Sequence, residues 1–181
     1  MMEFRYCPHC GSKTVPREIG DEGLVPWCTT CELPLFPMFS TCIIALAADS
    51  RAGEVALLRQ RYISAQYHNL VSGYMKPGES AEECAAREVE EELGLKVGGL
   101  TMTGTYWFGK KDMLMVGFIA EVAKQDFHLS GEVDQALWVP PERALELLHP
   151  YPAISHRVTQ YYIGHRDQSV PATLSERRIS L

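Results

Sequence analysis

Two matched Cys-x-x-Cys pairs, Cys7-Pro8-His9-Cys10 and Cys28-Thr29-Thr30-Cys31, constrain the first part of this chain more than any other feature of its sequence. A segment of about 35 residues buries too little apolar surface to fold by itself, so something other than a core must hold it together. Six cysteines in a small secreted chain would suggest disulfides, but four of them stand in these pairs and no basic-then-apolar leader accompanies them. The spacing is that of a four-cysteine zinc site, with Cys7, Cys10, Cys28 and Cys31 as thiolate ligands and Gly11 easing the turn after the first pair. Four ligands close the tetrahedron and leave no position for water, so this Zn²⁺ is expected to be structural. His9 is expected to face solvent between two ligands.

Pro34-Leu35-Phe36-Pro37 is expected to break regular structure, because each proline lacks an N–H and fixes its own φ. That places a zinc ribbon over 1–36, a second domain over 37–165 and a loosely ordered tail over 166–181. In the second domain the apolar run Cys42-Ile43-Ile44-Ala45-Leu46-Ala47 suits a buried strand, and Glu54 to Arg59 suits its neighbour. Further strands are expected at Gly99 to Tyr106, Met113 to Val122 and Val133 to Val139, with helices at Glu79 to Leu93, Pro141 to Leu148 and Ile154 to Ile163. Strands and helices mix without strict alternation, which points to an α/β chain of the α+β type, a mixed sheet with helices on its faces. No apolar run is long enough to cross a membrane, so a cytoplasmic protein with no membrane partner is expected. The formal net charge of −6 comes without a long basic tract, so an anionic substrate would need metal ions.

The stretch from Gly73 to Leu95 carries the chemistry. Pro77-Gly78 reads as a turn, Ser80 with Glu83 as a capping box, and Gly94 as the helix stop. At 100° per residue Ala81, Ala85, Ala86, Val89 and Leu93 make an apolar stripe, while Glu88, Glu91 and Glu92 gather on an adjoining face. Like charges three and four residues apart repel, and divalent cations with a preference for oxygen ligands offset that repulsion. Cys42 and Cys84, with no partner or base nearby in sequence, read as small buried hydrophobes.

Gly73, Glu79, Arg87-Glu88-Val89, Glu91-Glu92 and Gly94-Leu95 match the Nudix box at every defining position. The second domain therefore resembles the Nudix hydrolases, and the ribbon together with it resembles the NADH pyrophosphatase branch. The resemblance implies a Nudix αβα sandwich and hydrolysis of a nucleoside diphosphate linked to another group. The substrate would be a dinucleotide such as NADH or NAD; alternatives are ADP-ribose, nucleotide sugars and NAD-capped RNA, or a non-catalytic module that senses a nucleotide. Nucleic acid enters only as a capped RNA end. It also implies Mg²⁺ or Mn²⁺ held by Glu88, Glu91 and Glu92 with support from Glu79 and a backbone carbonyl at Ser72 or Gly73. Arg87 would orient the carboxylates. Glu132, ahead of Val133 to Val139, is the loop carboxylate expected to complete the site, with Asp134 and Asp112 as substitutes, and Glu91 or Glu132 would take the proton from water. Trp107, Phe108 and Tyr74 are candidates to stack a base or nicotinamide ring, with Tyr106 a fourth. The branch's Ser-Gln-Pro-Trp-Pro-Phe-Pro motif is replaced here by Gly104-Thr105-Tyr106-Trp107-Phe108-Gly109-Lys110-Lys111. Relatives of this kind often pair, so a homodimer is a further expectation.

Overall fold

The computed structural model describes residues 4–166. The tail expected over 166–181 lies, apart from Arg166, outside the described residues. The chain divides between Ser40 and Thr41 into two compact units.

The first unit holds three antiparallel strands in the order β1-β2-β3: Val15–Glu18, Leu24–Cys28 and Leu33–Pro34. Its core cluster is Cys7, Cys28 and Leu35, with Phe4, Cys31 and Leu33 packed against them, and Val25 of β2 is buried as well. That is a very small core, and three of these residues are the cysteines themselves. Pro34, expected to interrupt regular structure, instead closes β3, where it faces Trp27. It is tolerated because β3 is an edge strand and Leu35 N–H supplies the next bond, to Pro26 O at 2.8 Å.

The second unit is a mixed six-stranded sheet between helices. β4 (Ser40–Asp49), β5 (Glu54–Arg59), β6 (Val71–Tyr74), β7 (Val97–Phe108), β8 (Met113–Val122) and β9 (Gln135–Val139) run in the order β7-β8-β4-β5-β9, with β6 also paired to β4. β4 explains the apolar run: Ile44, Leu46 and Ala48 enter one core cluster while Ile43, Ala45 and Ala47 enter the other. A strand covered on both faces has no polar side to show. The first cluster lies under α2 (Pro141–Leu147) and α3 (Ile154–His165), the second under α1 (Ala81–Leu93). Among the described residues no helix is long and apolar enough to cross a membrane.

Helix α1 starts two residues later than its sequence pattern suggests, because Ser80 keeps an extended backbone and serves as the N-cap. Both arms of the capping box form, and Gly94 ends the helix in the left-handed region at φ 69°. β9 also starts two residues late, since Val133 N–H turns back to Ser130 O. β6 escaped sequence reading: Val71-Ser72-Gly73-Tyr74 has neither length nor β-branched density, and its pairing with Cys42–Ala45 of β4 makes it a strand.

Candidate functional site

The four cysteines converge. Their Sγ atoms all lie within 4.8 Å of one another, with Cys10 and Cys28 at 3.5 Å and Cys7 and Cys31 at 4.0 Å. Gly11 turns at φ 74° and donates its N–H to Cys7 O, closing the first knuckle, while His9 is exposed. Cys10 is lowered to about 6, first by its hydrogen bond with Ser12, and Cys31 is raised to about 12, first by its hydrogen bond with Cys10. A cation that favours sulfur donors would take all four as thiolates. The residues fit Zn²⁺.

The glutamates of α1 are gathered differently, around a cation of the chain itself. Arg87 grips Glu79 with Nε at 3.0 Å and Nη2 at 2.8 Å, and its Nη1 reaches Glu88 Oε1 at 2.7 Å and Glu91 Oε2 at 2.9 Å. One planar guanidinium thus orders three carboxylates, which a point charge could not do. Glu79 is held to about 2, chiefly by Arg87 and then by the Lys76 backbone N–H. Its carboxylate is committed to Arg87, so in this structure it braces the cluster. Lys76 Nζ stands 3.8 Å from the other Glu91 oxygen.

Gly73 has a packing reason. A Cβ there would lie 2.0 Å from Glu88 Cδ, so only glycine lets the Glu88 side chain lie along β6. Cys84 is buried below, with Arg87 Nη2 at 3.5 Å from its Sγ, and burial pushes its thiol up to about 12. Cys42 is buried as well.

Glu92 departs from the expected common face. It is 5% exposed, whereas the Glu91 side chain is 53% exposed. One position along a helix is 100° of rotation, enough to carry Glu92 from the rim to the sheet. Burial raises it to about 7, opposed first by a hydrogen bond from Gln60 and least by the nearby Ser72 backbone N–H, with the charges of Glu88 and Glu132 adding to the rise. Glu92 Oε1 accepts from Gln60 Nε2 at 2.9 Å, and Glu92 Oε2 is buried with no partner. A buried carboxylate oxygen left without a bond is costly, and a hard cation would satisfy it. Among the described residues only the four sulfur atoms converge within 4.8 Å, so it is the chemistry of the carboxylate donors, not their spacing, that fits Mg²⁺ or Mn²⁺.

Glu132 is exposed in the loop before β9, a loop pinned to the end of α1 by His128 N–H to Leu93 O and Ser130 N–H to Glu92 O. The field of Glu132 reaches Glu92, and it shares with Arg61, Tyr62, Gly131 and Asp134 a hollow of about 580 Å³. Asp134 is occupied elsewhere, its Oδ2 accepting from Arg61 N–H at 2.7 Å, and Asp112 sits at φ 46° in the β7–β8 turn. Arg61 and Tyr62 had no signal in the sequence, since a loop residue becomes relevant only through what the fold sets opposite it.

The aromatic candidates separate. Tyr106 is buried, its hydroxyl 3.1 Å from Thr103 Oγ1 and its ring under Arg157. Phe108 packs against the same core cluster, and Trp107, pointing the other way on β7, is 51% exposed on the face that carries α1. Tyr74 at the end of β6 is 55% exposed. Trp107 and Tyr74 are thus the two ring candidates with half or more of their surface exposed.

Comparison with known proteins gives a consistent picture. Residues 38–162 match the NUDIX domain. The NAD-capped RNA hydrolase NudC of Pseudomonas fluorescens (strain Pf-5) is 31% identical over 179 residues, covering 93% of this chain and 61% of that protein. NudC of Pseudomonas syringae pv. tomato is 33% identical over 169 residues, covering 91% and 57%. The chain thus spans about three fifths of the length of these curated relatives. In fold it is similar to a NUDIX hydrolase from Nitrosomonas europaea, with a TM-score of 0.68 over 94% of this chain and 96% of that one at 19% identity. MutT from Aliivibrio salmonicida and Vibrio cholerae gives 0.59 over 70% of this chain and 99% of that one at 18% identity.

Proposed function

Because this chain belongs to the NUDIX family, we propose that it is a divalent-metal-dependent pyrophosphatase that hydrolyses the phosphoanhydride of an NAD-type dinucleotide, free or as the capped end of an RNA. The observation that carries this reading is the orphaned Oε2 of buried Glu92 beside the Arg87-ordered pair Glu88 and Glu91. Arg87 and Lys76 offset part of the charge of Glu88 and Glu91, but no ion pair is seen at Glu92, so the arrangement keeps an unmet charge at its buried end. The names of the relatives, which match over more than nine tenths of this chain, support the NAD-type substrate.

Bound Mg²⁺ or Mn²⁺ would acidify water and neutralise charge on the phosphates. Glu88, Glu91 and Glu92 would hold the ion, and Arg87 keeps Glu88 and Glu91 from swinging away. Glu132, exposed and close enough for its charge to be felt at Glu92, accepts the proton of the attacking water. The water oxygen bonds to one phosphorus, the bridging oxygen leaves with the other phosphate, and no covalent enzyme intermediate forms. Trp107 and Tyr74 offer flat faces to a nicotinamide or adenine ring. Cys7, Cys10, Cys28 and Cys31 hold Zn²⁺ and take no part in the reaction.

The test is incubation of the purified protein with Mg²⁺ or Mn²⁺ and NADH, NAD⁺, ADP-ribose, a nucleotide sugar and NAD-capped RNA. Metal-dependent release of AMP and reduced nicotinamide mononucleotide from NADH, or loss of the nicotinamide mononucleotide from the RNA end, is expected. Tight binding of one member with no cleavage of any would sink the reading and make the protein a nucleotide sensor.

A further inference from the structure

Gln60 lies just beyond β5, a buried residue with no place in the box. A glutamine that is only 2% exposed needs a reason to be there, since an apolar side chain would fill the same space without desolvating an amide. Its Nε2 donates to Glu92 Oε1 at 2.9 Å, and its own Oε1 is left buried and without a partner. A structural glutamine would be expected to satisfy both ends. This one satisfies the end that faces Glu92.

The backbone around Gln60 is clamped on both sides. Asp134 takes Arg61 N–H on its Oδ2 at 2.7 Å and gives its own N–H to Arg59 O at 2.9 Å. Gln60 O accepts from Ile63 N–H and Ser64 N–H at 2.9 and 3.0 Å. Asp134 stands two residues from Glu132, so the clamp that locates Gln60 also ties the loop of Glu132 to the end of β5.

We infer that Gln60 is a positioning residue for metal binding: its neutral amide holds one oxygen of Glu92 and turns the unpartnered Oε2 toward the divalent cation. This rests on the reading of Glu92 as a ligand. The choice of an amide has a physical reason. Arginine or lysine at position 60 would pair with Glu92 and compete with the cation, whereas an amide orients the carboxylate and leaves its charge intact. The outer glutamates, Glu88 and Glu91, share the Arg87 guanidinium with Glu79, and Lys76 Nζ stands 3.8 Å from Glu91, so two cations face three carboxylates and net negative charge remains. Partners that orient metal ligands in this way commonly matter 10- to 100-fold to metal affinity.

Gln60→Met keeps the volume and removes the donor. Titration of the full chain with Mn²⁺ alone, followed by the electron paramagnetic resonance of the free ion, should show affinity about 10- to 100-fold weaker than in the unmutated protein, with zinc content unchanged. Equal Mn²⁺ affinity would overturn the role of Gln60. Should this variant fail to fold, the unmutated protein carries the test: the Gln60 side-chain amide signal in ¹⁵N NMR should move on saturation with diamagnetic Mg²⁺, and a signal that stays fixed at saturation overturns the inference. Failure of the unmutated protein to bind Mn²⁺ or Mg²⁺ at all would overturn the reading of the glutamate site as well. The Gln60→Met result separates the two, because it leaves that reading standing.

Discussion

The cysteine cluster and the glutamate cluster both gather acidic side chains, and they do so by opposite means. In the first unit four sulfur atoms crowd within 4.8 Å around one point, in a unit whose buried apolar residues are few. In the second, three carboxylates sit on a helix that is already capped at both ends and packed on a sheet, and side chains of the protein hold them. On the proposed reading, the difference separates a metal that makes a fold from a metal that uses one. Soft thiolates in a closed tetrahedron leave no room for substrate, while hard carboxylates at graded depth keep coordination positions open.

The largest effect that would break or sharpen this contrast is loss of zinc. Chelation, or Cys28→Ser, should abolish the dispersed amide signals of residues 4–40, since structural zinc contributes on the order of 10 kcal/mol to folding in small metal-held units. The signals of the second unit should survive, and their loss would contradict its independent core. Next comes Glu92→Gln. Turnover should fall at least about a hundredfold, the consequence of losing several kcal/mol of charge stabilisation at the metal, while metal-free thermal stability should hold or rise because a buried carboxylate becomes an amide. A drop in stability like that of Cys28→Ser would erase the contrast.

Asp49 supplies the counterexample within the second unit, a carboxylate the fold itself satisfies. It accepts from Arg51, Ala52 and Lys124 backbone N–H groups, and those of Ala52 and Lys124 in particular hold its pKa below the usual value. A depressed folded value means that its stabilisation is present above about pH 4, the ordinary carboxylate range, and is lost as pH falls through the folded value. Asp49→Asn should cost about 1 to 3 kcal/mol at pH 7 and flatten the acid limb of the stability curve. An unchanged limb would refute the assignment. Least is expected of Trp107→Ala: KM for NADH should rise about 2- to 10-fold, as one stacking contact is worth, with kcat and stability close to those of the parent. A loss in kcat alone would remove Trp107 from substrate binding.

Much of this was legible in the sequence because it is local. Ser80, Glu83 and Gly94 bracket α1 through bonds that span three or four residues, and the sulfur cluster follows from two short repeats. Glu88 and Arg87 meet because they are neighbours on one helix. The depth of Glu92 was not legible, because a helix in isolation has no inside, and the sheet decides which turn of the face is covered. Gln60 lies 32 positions from Glu92, and no local pattern links the two. Trp107 and Phe108 read as a pair in sequence and part in the structure, since a strand sends neighbours to opposite faces.

By itself the sequence determined the cysteine cluster, the caps of the helix that carries the glutamates, and the family, because capping, spacing and periodicity act over a few residues. The tertiary structure alone decided which carboxylate is buried and left with an open oxygen, which amide bonds to it, and which loop brings Glu132 within its field. Those depend on contacts between distant segments, whose geometry exists only once the sheet has closed around them.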